Sequence, residues 1–76
     1  MSMFKTTKEQ ICRVYTISAT MACYLPADFV LSTIKLACHS QGVYDLMELW
    51  IAESDPDERK NIIVAIQSII DEEEVP

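Results

Sequence analysis

The side chains best suited to nucleophilic or transition-metal chemistry are Cys12, Cys23, Cys38 and His39. A structural zinc site wants four ligands at short, regular spacings, such as two cysteines separated by two residues. No such spacing occurs. Cys38 and His39 are adjacent, so on a helix their side chains diverge by about 100° and cannot form a thiolate–imidazole pair. Cys12 and Cys23, eleven residues apart, fall on nearly one side of a helix but bring no further ligands. The three cysteines therefore read as reduced thiols that pack as small hydrophobes, in a cytoplasmic setting. Paired carboxylates occur at Asp55, Asp57 and Glu58 and at Asp71–Glu74. They sit where helix caps and tails sit, not in an apolar cleft that would raise a carboxyl pKa. Gly42 is the only glycine, so no phosphate-cradling loop exists. The chain reads as a non-enzyme with no catalytic, cofactor-binding or metal-binding residue.

The elements that carry these residues follow from composition. At 76 residues and 50% hydrophobic content, the chain is one domain, 1–76, near the lower size limit for independent folding. Disorder is excluded as its main state. One glycine and three prolines leave few tight turns, which points to an all-α fold. No apolar run reaches the ~18–20 residues that span a bilayer. Lys5, Lys8 and Arg13 before the run ending Met21-Ala22-Cys23 have the outline of a secretory leader. Glu9, Thr16, Ser18 and Thr20 break that outline, and the segment is expected to belong to the fold.

Periodicity and capping signals place four helices, at about 7–24, 27–39, 43–53 and 56–73. The first is the greasiest: between Ile11 and Leu25 the only charge is Arg13. Ile11, Val14, Tyr15, Ser18, Met21, Ala22 and Leu25 form one stripe, with Ile17 and Tyr24 extending it sideways. Such a helix wants neighbours on two or three sides, which predicts either a central position or a partner's docking surface. Thr6 or Thr7 with Glu9 supplies a capping box, Glu9 pairs with Arg13 one turn on, and Met3 and Phe4 fold back on the core. Pro26 opens the second helix and Gly42 closes it as a left-handed C-cap. Val43, Leu46, Met47, Trp50 and Ile51 make the core face of the third, with Trp50 inside. Asp55, Pro56 and Glu58 start the fourth. Its core face is Ile62, Ile63, Ile66, Ile69 and Ile70, with Val64 outside. The product is a compact four-helix bundle, or two αα-hairpins.

Charge is segregated along the chain. Residues 1–42 hold Lys5, Lys8, Arg13 and Lys35 against Glu9 and Asp28, a balance of +2. Residues 43–76 hold ten carboxylates against Arg59 and Lys60, a balance of −8, for the net −6 of the whole. Asp45, Glu48, Glu53, Asp55, Asp57 and Glu58 are expected to form one acidic ridge. This layout predicts a small acidic cytoplasmic protein–protein interaction module, a regulator, inhibitor or immunity-type protein that docks a basic partner surface. The large apolar content predicts a homodimer, with Ile17, Tyr24 and Val64 as its contact residues. Two alternatives remain. Val30–Ile51 has the outline of a helix-turn-helix, and a DNA-binding regulator would contact phosphates through Lys5, Lys8, Arg13 and Lys35. Its second helix would present Asp45 and Glu48, which DNA repels, so direct nucleic-acid binding is disfavoured. The other alternative is an acidic mimic of DNA.

Overall fold

The computed structural model describes residues 7–74. Within them it has four helices: α1 (Lys8–Met21), α2 (Ala27–Ala37), α3 (Gln41–Ala52) and α4 (Pro56–Glu74). They pack as an all-α four-helix bundle. The described chain is only 21 Å thick in its shortest direction, two helix layers at about 10 Å each.

Each helix starts for a legible reason. Thr7 caps α1 in a reciprocal capping box: its hydroxyl accepts from the Gln10 N–H at 3.1 Å, and its own N–H donates to Gln10 Oε1 at 2.9 Å. The expected partner, Glu9, is one residue short of the box; Thr6, Met3, Phe4 and Lys5 lie outside the described residues. Pro26 stands at the N-cap of α2, and its missing N–H leaves one fewer donor to satisfy. Ser40 Oγ accepts from Val43 N at 3.4 Å to open α3. Asp55 Oδ1 accepts from Asp57 N at 3.0 Å ahead of Pro56.

Two helix ends differ from expectation. α1 stops at Met21, and its chain tightens through Cys23 N to Thr20 O and Tyr24 N to Met21 O before Pro26 forbids further helix at Leu25. α2 stops at Ala37 with Cys38 as a right-handed cap, and Gly42 has no positive φ. Gly42 is instead the second residue of α3, because the Ser40 cap starts that helix early.

The centre of the bundle is the α2–α3 hairpin, not α1. α2 and α3 each pack on all three other helices, whereas the backbones of α1 and α4 make no close approach. With two helix neighbours, α1 buries only Val14, Ile17, Ser18 and Met21, an arc rotated by roughly 50° from the expected stripe at about 100° per residue. Ile11, Tyr15 and Ala22 stay exposed. Val30 and Ala37 of α2, Val43, Met47 and Trp50 of α3, and Ile66 and Ile70 of α4 complete the core. Each fully buried aliphatic side chain among them contributes about 1.5–3 kcal/mol. The two buried hydroxyls are satisfied within their own helices: Ser18 Oγ donates to Val14 O at 2.7 Å and Thr33 Oγ1 to Phe29 O at 2.8 Å.

Two substitutions of opposite sign check this packing by chemical denaturation. Trp50, 3% exposed, should lose about 3–5 kcal/mol on Trp50→Ala. Gly42→Ala should gain about 0.5–1 kcal/mol, because an added Cβ meets only Ser40 Oγ at 3.9 Å. Destabilisation by Gly42→Ala would restore a left-handed role for that glycine.

Candidate functional site

α3 turns Val43, Met47 and Trp50 inward, so its opposite face carries Asp45, Leu49 and Ala52, all exposed. Leu49 is 56% exposed. It stands one turn from Asp45 on one side and one turn from Glu53 on the other, with Glu48 next to it. This exposed leucine on an otherwise acidic face has no counterpart in the periodicity of α3, which assigns Leu49 no role.

The six ridge carboxylates divide by what they hold. Asp45 Oδ1 accepts from Gln41 Nε2 at 2.7 Å. Glu48 pairs with Arg13 of α1 across the helix interface, Arg13 Nε lying 3.1 Å from Oε1 and 3.4 Å from Oε2. Arg13 thus reaches α3 rather than Glu9, and a phosphate contact from Arg13 would compete with this bond. Tyr44 OH donates to Glu48 Oε2 at 3.0 Å. Burial, reinforced by that bond and by the Glu48 charge, pushes the Tyr44 phenol above its ordinary value of 10.0. Glu53 turns back on the chain, Oε1 accepting from Ser54 N and Asp55 N at 3.1 Å each. Asp55 caps α4, and Asp57 and Glu58 lie exposed in its first turn.

Beside this corner lies a groove of about 600 Å³. Leu25, Trp50 and Ile63 make its apolar part, and Tyr24, Arg59 and Lys60 stand around it. The Arg59 guanidinium lies 4.4 Å from the centre of the Trp50 ring. Its Nε donates to Trp50 O at 3.1 Å and Glu53 O at 2.7 Å, satisfying carbonyls that the end of α3 leaves open. Tyr24 meets the same indole edge-on, with ring centres 6.4 Å apart. The groove had no sequence signal, because it joins the α1–α2 link, the end of α3 and the start of α4. Hollows of about 250 and 310 Å³ between α2 and α4 are smaller; Lys35, His39 and Glu73 border the first.

The residues expected at a dimer contact do not form one surface. Ile17 is 0% exposed and belongs to the core of its own chain, which corrects that assignment. Tyr24, 71% exposed, borders the groove, and Val64 stands exposed on α4. The cysteines also depart from expectation. Cys12 and Cys23 are exposed and Cys38 is half-buried, since the core arc of α1 faces away from Cys12 and Cys23 lies past the helix end. Among the described residues no three His, Cys, Asp or Glu side chains gather as metal ligands, and no helix is long and apolar enough to cross a membrane.

Comparison with known proteins returns no matching family model, no matching curated protein and no matching solved structure.

The Tyr44 phenol gives a pH signature. The folded state holds its proton more tightly than the unfolded chain does, so the associated stability is full below about pH 10 and is lost as pH rises through the folded pKa. Stability of the wild type should fall more steeply above about pH 10 than that of Tyr44→Phe. Parallel pH profiles would place Tyr44 in an ordinary solvated setting.

Proposed function

We propose that the protein is a small, non-catalytic interaction module that docks a basic partner protein through the outward face of α3. The observation that carries this is Leu49, exposed between Asp45 and Glu53 on a face with no cation of its own. Protein interfaces concentrate energy in a central apolar anchor and use the polar rim for orientation and approach. Seating Leu49 in an apolar recess would contribute up to about 1.5–3 kcal/mol. The surrounding carboxylates and the −8 balance of residues 43–76 would attract a basic rim and speed encounter. A regulator, inhibitor or immunity-type protein works in this way. Exposed Cys12 and Cys23 thiols suit a reducing cytoplasm.

The partner and the face can be tested together. The protein, immobilised, is exposed to extract of its native host alongside Leu49→Asp and Asp45→Lys variants. Both sites are exposed, so circular dichroism should show unchanged helicity. A basic protein should be retained by the wild type, with capture falling at least about tenfold in each variant and declining with added salt. Capture that survives both substitutions would move the interface off α3.

A further inference from the structure

The second half of the chain has only two cations, Arg59 and Lys60, among ten carboxylates. Both border the groove beneath Tyr24, and no carboxylate lines it. Among the described residues the one ion pair is Arg13–Glu48, so neither groove cation lies in direct contact with a described carboxylate. The groove therefore inverts the charge of the half-chain around it. At about 600 Å³ it falls within the ~300–1,000 Å³ of ligand sites. Its Tyr, Trp and Arg are the residue types that carry most binding energy at protein interfaces.

We propose that this groove is a second docking site, distinct from the α3 face, for a short acidic peptide segment of a partner protein. One large apolar side chain of that segment sits against Leu25, Trp50 and Ile63. Carboxylates flanking it meet Lys60 and the guanidinium of Arg59, whose position is already set by the Trp50 and Glu53 carbonyls. That prior ordering lowers the entropy lost on binding. An open trough suits an extended peptide better than a free alkyl chain, which needs most of its surface enclosed. The corner acids Glu53, Asp55, Asp57 and Glu58 stand beside the groove without lining it, and the lining cations Arg59 and Lys60 must outweigh their repulsion at the contact. The rest of the −6 charge is screened beyond about 8 Å at physiological ionic strength. The chain's own acidic residues Asp71–Glu74 cannot fold back, because they are the last turn of α4 itself, about 16 Å of rigid helix beyond Lys60.

Trp50 is the only tryptophan, so its fluorescence reports on the groove directly. The probes are synthetic hexapeptides with Leu, Ile or Phe flanked by Asp and Glu, and the same peptides with Lys in place of the acids. At physiological ionic strength at least one acidic peptide should change Trp50 emission saturably, while its lysine counterpart does not. Lys60→Glu, an exposed substitution, should weaken that binding at least about tenfold with helicity unchanged. Leu49→Asp should leave it intact, which separates this site from the α3 face. Equal binding of lysine peptides, no saturable change up to millimolar peptide, or indifference to Lys60→Glu would each overturn the proposal. Concentration-dependent sedimentation abolished by Lys60→Glu would overturn it differently, by assigning the groove to the acidic tail of a second copy.

Discussion

The indole of Trp50 joins three parts of the chain that would otherwise have little in common. Tyr24 reaches it from the α1–α2 link and Arg59 covers it from α4, while the ring itself belongs to the core face of α3. Arg59 does more than cover the ring. Its Nε binds the Trp50 and Glu53 carbonyls, so one side chain closes α3, ties α4 to that end and covers the buried indole. A small bundle with a single glycine has few other means of holding a helix corner at a defined angle. The groove and the acidic corner are the two flanks of this arrangement.

The charge segregation in the sequence takes a different form in space. Arg13, on the basic half, crosses to Glu48 on the acidic half and ties α1 to α3. Both side chains are partly exposed, and such pairs contribute at most about 1 kcal/mol, so the bridge orients the interface more than it stabilises it. It also removes one cation from any nucleic-acid surface and makes Glu48 a structural member of the ridge. Tyr44 binds the same carboxylate, which leaves Glu48 little freedom to turn toward a partner.

Much of the fold was legible because it rests on local signals. Thr7 and Asp55 caps, Pro26 and Pro56, and the 3.6-residue periodicity of α3 and α4 act within one or two turns, and the helices follow them. The position of α1 was not legible. Hydrophobic periodicity shows which side of a helix wants burial but not how many neighbours will supply it, and Ile11 and Tyr15 stayed outside when α4 packed elsewhere. Ile17 turned inward for the same reason, since the buried arc of α1 rotated until it took in that flank of the expected stripe. Gly42 was misread because a lone glycine between two helices signals a left-handed cap only if no serine starts the next helix first. On the surface, the ridge carboxylates were visible as a run, but their commitments were not. Glu53 and Asp55 differ from Asp45 only in lying at a turn, where backbone N–H groups compete for them.

That competition decides which part of the acidic face a partner can use at low cost. A lysine drawn to Glu53 must displace the Ser54 and Asp55 N–H groups, and those bonds hold the corner against which Arg59 is braced. A cation drawn to Asp55 likewise competes with the cap of α4. Asp45 gives up only a bond to the exposed amide of Gln41, and Leu49 gives up nothing but water. On the proposed docking mode the face that yields most cheaply is therefore the middle of α3, with the corner acids acting at a distance through their field rather than through contact. The six-residue ridge of the sequence would then resolve into a contact patch centred on Leu49 and an electrostatic surround.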